Sequence, residues 1–258
     1  MSDEPTLSPA LAEHDHAADR SVVPVLVPVL EARHVFKTFH GGDGAAVRVL
    51  EGASITVRRG EMVAIIGASG AGKSTLLHVL GALERPTSGE VLLNGEPVAA
   101  LADEVLAERR NRGVGFVFQF HHLLKEFSAL ENVMMPLRIA GLPDAVSRQR
   151  AEQLLERVGL SHRRHHRPAE LSGGEQQRTA VARALAMQPG LLLADEPSGN
   201  LDHHHAESLH DLFAELAREL SLGLVVVTHN RALAARADRV LLLESGHLVD
   251  NSSNQGAV

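Results

Sequence analysis

Two short runs of this chain carry residue types that do phosphate chemistry. The first is Gly67, Ala68, Ser69, Gly70, Ala71, Gly72, Lys73, Ser74 and Thr75, whose first eight residues match G-x-x-x-x-G-K-[ST] in full. Glycines at these places let the backbone fold around phosphate oxygens without a Cβ in the way. Successive N–H groups, together with the start of a helix, then face the anion. Lys73 reaches the β- and γ-phosphates, and the Ser74 hydroxyl reaches Mg²⁺. The second run is Leu191-Leu-Leu-Ala-Asp195-Glu196. Two acids at the end of an apolar strand suit a metal-holding Asp195 and a Glu196 that polarises an attacking water. Together the runs predict a Mg²⁺-dependent nucleoside triphosphate site and leave the base, adenine or guanine, open.

These residues need rigid elements around them. Met62 to Ile66 is a continuous apolar run, as expected of a strand buried on both faces, and a helix from Lys73 to about Gly81 follows the glycine loop. Gly115 to Gln119, Leu191 to Ala194, Leu224 to Val227 and Val240 to Leu243 read as further strands, with an amphipathic helix over 203–220. Strands alternating with helices predict an α/β fold with a mostly parallel core sheet. The β-rich runs LEARHVFKTF and VRVLEGASITVRRG predict an antiparallel β subdomain before it. Residues 125–187 have helical periodicity, broken at Gly141-Leu-Pro143 and His166-Arg-Pro168, and predict an inserted helical subdomain. The expected domain spans 29–250, between a flexible acidic tail over 1–28 and a polar tail over 251–258.

Composition excludes other chemistries. The 258 residues contain no Cys, Trp or Tyr, which removes disulfides, thiolate zinc sites and Cys nucleophiles. A chain of this length buries about three-quarters of its unfolded surface and needs no covalent staples. The net charge is −7, of which five acids and Arg20 in residues 1–30 account for −4. An acidic balance argues against a nucleic-acid partner. The apolar run Val22 to Leu30 has nine residues and is broken by Pro24 and Pro28, short of the ~20 that span a bilayer. His203-His204-His205 are consecutive, so on a helix they diverge and read as solvated rather than as a chelate.

Leu171-Ser172-Gly173-Gly174-Glu175-Gln-Gln177, lying before the Asp-Glu strand, narrows the function. With the phosphate loop it resembles the ATP-binding-cassette (ABC) ATPases. Gln119 stands 46 residues after Lys73, Ser172 53 beyond Gln119, Glu196 24 beyond Ser172, and His229 33 beyond Glu196. Ser198-Gly-Asn-Leu-Asp202 looks like the family's D-loop, and Phe39 sits where an aromatic stacks on adenine.

The resemblance implies ATP and Mg²⁺ as cofactors and a P-loop fold of ABC type. It implies Glu196 as base, His229 on the γ-phosphate and water, Lys73 and residues 67–75 on the phosphates, and Ser74, Gln119 and Asp195 at the metal. Gln119 would also sense the γ-phosphate. Ser172, Gly173, Gly174 and Glu175 would face the ATP of a second copy, with Ser172 capping a helix and Glu175 completing the capping box. The site would be finished only in a two-fold dimer.

A finer resemblance, carried by Gln119 to Leu124, Glu126 to Val133 and His166 to Glu175, is to the ATPase subunits of lipoprotein-releasing transporters in Gram-negative bacteria. It implies a peripheral protein on the cytoplasmic face of the inner membrane, paired with two integral membrane subunits near Phe120, His121, His122, Leu123 and Leu124. Exporter-type and cell-division-type cassettes share much of the pattern, and a soluble ABC ATPase is the further alternative. Ala71 in the loop, Asn230 after His229 and Phe39 in place of the more usual Tyr depart from the family pattern without removing a catalytic group.

Overall fold

A computed structural model describes residues 27–42 and 45–251. The acidic N-terminal tail lies outside the described residues except for Val27 and Pro28, and the C-terminal tail lies outside them beyond Asn251.

Two sheets form the body. Strands β1 (Leu30–His40), β2 (Ala46–Val57), β4 (Ser88–Leu93) and β5 (Glu96–Pro97) make an antiparallel sheet in the order β2-β1-β4-β5. Strands β3 (Met62–Ile66), β6 (Val114–Phe118), β7 (Leu191–Asp195), β8 (Gly223–Val227), β9 (Arg239–Glu244) and β10 (His247–Asp250) make the second, in the order β10-β9-β3-β8-β7-β6. All its pairings are parallel except β10 with β9. The apolar runs of β3, β7 and β8 are buried almost throughout, which a strand covered on both faces requires.

Helix α1 (Lys73–Leu80) lies between the sheets. Its Leu76, Leu77, Val79 and Leu80 share a core with Val35 and Ile55 of the antiparallel sheet and Ile65, Leu193 and Val227 of the parallel one. The other face of the parallel sheet is covered by a second core. There, α3 (Ala129–Ile139), α4 (Asp144–Arg157), α5 (Gly173–Ala184) and α6 (His203–Glu219) meet through Val133, Leu155, Val181 and Phe213. Helix α2 (Asp103–Gly113) precedes β6, and the one-turn α7 (Arg231–Ala234) follows β8.

Helices α3 and α5 both begin with a reciprocal capping box. Ser128 Oγ accepts from Glu131 N at 3.3 Å while Glu131 Oε2 accepts from Ser128 N at 2.8 Å. Ser172 and Glu175 repeat the arrangement with the same 3.3 and 2.8 Å. Each box satisfies two orphan amide groups and is worth on the order of 1 kcal/mol. The Gly141–Pro143 break separates α3 from α4. The His166–Pro168 break falls between the short 3₁₀ turns Ser161–Arg163 and Pro168–Glu170.

Candidate active site

Sheet order converts distant residues into one surface. Moving across β3, β8, β7 and β6, the carboxyl ends of four adjacent parallel strands carry the 67–75 loop, His229, the Asp195–Glu196 pair and Gln119. Ligands of open α/β sheets bind at this edge.

The loop after β3 depends on glycine at two close approaches. A Cβ on Gly67 would sit 2.5 Å from the Leu243 carbonyl oxygen, and one on Gly72 would sit 2.6 Å from Val49 Cγ1. Gly72 also has φ +95°, so it is the residue that turns the loop into α1. No side chain caps the first turn of α1, leaving its amides directed at the loop's concavity. Lys73 Nζ donates to the carbonyls of Gly67 and Ala68, both at 2.9 Å, and is thereby held at the loop's mouth.

Asp195 ends β7 half-buried, beside the Ser74 hydroxyl. Burial pushes its carboxyl above the usual range. The Ser74 hydroxyl opposes that, and the neighbouring Glu196 adds to it. A carboxylate and a hydroxyl this close, at a partly desolvated strand end, form a hard oxygen donor set that suits Mg²⁺. The side-chain oxygen of Gln119 is of the same kind.

Glu196 sits in the left-handed region at φ +44°, a conformation costing on the order of 1–3 kcal/mol in a non-glycine residue. Its amide donates to the Val227 carbonyl at 2.9 Å, and its carbonyl accepts from Gly199 N at 3.0 Å. Both carboxylate oxygens are engaged by His229. Nδ1 lies 2.9 Å from Oε1, and the His229 amide donates to Oε2 at 3.2 Å. The His229 side chain is 74% exposed, so its other ring nitrogen is open to a ligand. Asn230 caps α7, accepting from Ala232 N at 2.9 Å and Leu233 N at 3.1 Å, which holds the His229 loop from behind.

Gln119 is bound to the loop after Glu196. Its Nε2 donates to Asn200 Oδ1 at 3.1 Å, and Asn200 Nδ2 donates to the Gln119 carbonyl at 3.1 Å. The segment beyond Gln119 is fixed by two helices. Buried Asn132 on α3 accepts from Leu124 N and donates to the carbonyls of Leu124, Phe127 and Ser128. Arg183 on α5 donates to the carbonyls of His121 at 2.8 Å and His122 at 2.6 Å.

Phe39 is near the end of β1, opposite Val47 of β2, whose Val49 touches the loop at Gly72. Its ring is partly exposed, with Lys37 Nζ 4.8 Å from the centroid. Ser172, Gly173, Gly174 and Glu175 stand on a separate wall. Gly174 lies against His205, and Glu175 pairs with Arg163 at 3.0 Å. The Ser172 amide holds the Glu175 carboxyl below its usual range, helped by Arg163. Among the described residues no hydrogen bond joins 172–175 to 67–75. Of the three adjacent histidines, His205 pairs with Asp202 at 2.6 Å, and all three are exposed at the start of α6.

Arg183 and His210 are structural partners of the site that lie outside the sequence motifs, while Asn132 and Asn200 lie inside motif segments that assign them no role. For His210 a signal existed. It falls on the i, i+3, i+4 stripe of α6 with Ala206, Leu209 and Phe213, so helical spacing alone places it inside.

The fold is that of a P-loop nucleotide-binding cassette, and its candidate site lies at the carboxyl edge of the parallel sheet. The ABC transporter family model matches residues 50–199, and the chain belongs to that family. Curated relatives include the "Lipoprotein-releasing system ATP-binding protein LolD" of Pseudomonas fluorescens. It is 53% identical over 221 residues, covering 86% of this chain and 97% of the relative. LolD of Xanthomonas axonopodis pv. citri is 54% identical over 85% of this chain and 90% of its own. LolD of Geobacter metallireducens is 52% identical over 86% and 98%. Among solved structures, a dimeric post-hydrolysis state of the ATP-binding cassette MJ0796 bound to ADP and Pi superposes with TM-score 0.80. It is 36% identical and covers 86% of this chain and 98% of that one. A second dimeric MJ0796 cassette has TM-score 0.79 at 37% identity, covering 85% and 96%. The chain is an ATP-binding, ATP-hydrolysing ABC subunit.

Proposed function

We propose that this subunit powers the release of lipoproteins from the inner membrane toward the outer membrane. The observation that carries this reading is 52–54% identity to LolD proteins along 90–98% of their length. Phosphates of ATP lie along residues 67–75, with Lys73 against the β- and γ-phosphates. Ser74, Asp195 and Gln119 would hold Mg²⁺, which would supply positive charge against the phosphate oxygens. Glu196 takes a proton from water as the water oxygen bonds to the γ-phosphorus and the bond to the bridging oxygen breaks, leaving ADP. His229 orients Glu196 and steadies the γ-phosphate. Ser172 to Glu175 complete the site of a second copy, so two ATP close one dimer.

Two integral membrane subunits dock beside Phe120 to Leu124. Phe120 is 68% exposed, and a groove of about 350 Å³ opens nearby, lined by Leu83, Phe116, Phe118, Ile139 and Met187. Exposed aromatic and aliphatic side chains around a groove suit an inserted amphipathic helix. No helix among the described residues is long and apolar enough to cross a membrane.

Depletion of the protein in its host, followed by membrane fractionation, tests the reading. Lipoproteins destined for the outer membrane should accumulate in the inner membrane, and tagged protein should copurify with integral membrane subunits. Unchanged lipoprotein distribution after depletion would overturn it.

A further inference from the structure

His210 lies fully buried on α6, with 0% of its surface exposed, yet it is polar on both sides of its ring. Its Nε2 is 3.0 Å from Ser198 Oγ, in the loop between Glu196 and α6. Its Nδ1 is 3.5 Å from Glu207 Oε1, without hydrogen-bond geometry. Glu207 is in turn ion-paired with Arg236 at 2.7 Å. Arg236 also reaches Asp211 at 2.9 Å and donates to the Ala232 carbonyl at 3.2 Å, gripping α7 immediately after the His229 loop. One helix thus holds both loops from which Glu196 and His229 meet.

We propose that His210 is a positioning residue for ATP hydrolysis. It anchors Ser198, and with it the 196–202 loop, to the helix whose Glu207 and Asp211 anchor the His229 segment through Arg236. The proposal rests on Glu196 being the base.

Three features support it. The loop leaves Glu196 in a left-handed conformation, which persists only where neighbours enforce it. The same loop is tied to Gln119 through Asn200, and Ser198–His210 is a second tie two residues nearer to Glu196. Buried polar groups cost free energy unless they are hydrogen-bonded, and an apolar side chain in this stripe of Ala206, Leu209 and Phe213 would pack at no such cost. Burial pushes the His210 ring below the ordinary histidine range. The ring is therefore neutral, with one nitrogen donating and one accepting, which suits an orienting bond to a hydroxyl.

The test uses the tagged full chain recovered from its host membranes. ATP hydrolysis is measured for wild type, His210→Leu, His210→Gln, Ser198→Ala, the His210→Leu/Ser198→Ala double variant and Glu196→Gln. Loss of the tie should lower kcat about 10-fold in His210→Leu and in Ser198→Ala, with KM for ATP unchanged within about twofold. The glutamine, whose amide reaches the Nε2 position, should restore most of kcat. The double variant should match either single, because both remove the same bond. Wild-type kcat in Ser198→Ala or in His210→Leu overturns the proposal, as does a multiplicative loss in the double variant. If His210→Leu does not fold, Ser198→Ala and His210→Gln decide. Retained turnover in Glu196→Gln instead overturns the assignment of the base, a separate failure.

Discussion

Gln119 and Asn200, 81 residues apart, hold each other by two hydrogen bonds of 3.1 Å, side chain to side chain and side chain to backbone. The strand that ends beside Asp195 is thereby joined to the loop that leaves Glu196. A displacement of Gln119 therefore pulls directly on that loop.

Asn200→Ala breaks both bonds while leaving every proposed ligand of ATP in place. We expect kcat for ATP hydrolysis to fall about 10-fold with little change in KM, since only the orientation of the loop is altered. Steady-state kinetics at varied ATP check this. An equal loss carried entirely by KM would contradict it.

Glu196→Gln keeps the shape of the side chain and its contact with His229 but removes the basic oxygen. Turnover should fall by about 10²–10⁴-fold, the range ascribed to a general base. ATP should stay bound, and the protein should elute as a dimer in its presence. Phosphate release and size-exclusion chromatography read the two halves independently.

Gly72→Ala introduces a Cβ 2.6 Å from Val49 Cγ1 at a residue with φ +95°. We expect a loss of stability of about 1–3 kcal/mol and weakened nucleotide binding. Pairing it with Val49→Ala should relieve the clash with Cγ1 only, because the backbone strain and the contact with the Val49 carbonyl oxygen at 3.1 Å remain. Thermal unfolding with and without ATP distinguishes the two.

Phe39→Ala removes the exposed ring at the end of β1. If that ring stacks on adenine, KM for ATP should rise about 5–10-fold with kcat nearly unchanged, and Phe39→Tyr should behave as wild type. Equal affinity of Phe39→Ala for ATP would place the base elsewhere.

Stability should also depend on pH through His210. The ring faces Glu207, Asp211 and Arg236, but burial is the larger influence and holds its pKa below the ordinary value. The unfolded chain then binds a proton that the native state refuses. Native stability is full above the unfolded histidine value of about 6.5 and is lost as pH falls from there toward the depressed value. Melting curves at pH 7.5 and 5.5 should differ more for wild type than for His210→Leu.

What could be read along the chain was what is local. The strand, glycine loop and helix over 62–80 follow from apolar runs and from the conformational freedom of glycine. The Ser172–Glu175 capping box follows from two residues three apart, and helices over 129–184 from periodicity and their Gly and Pro breaks. Acids at the end of an apolar strand likewise marked Asp195 and Glu196.

Tertiary structure alone decided which strand ends are neighbours. The order β3-β8-β7-β6 interleaves distant segments, and so sets His229 against Glu196. It also decided the partners of polar residues. Asn200 meets Gln119 because strand order brings their loops together, and buried His210 meets buried Ser198 because each needs a partner once the chain is packed. The left-handed backbone of Glu196 belongs here too, since no residue type predicts it and only the surrounding bonds impose it. Local propensity specifies elements within a few turns, whereas the pairing of buried polar groups is settled only when packing excludes water and each must find a partner inside the protein.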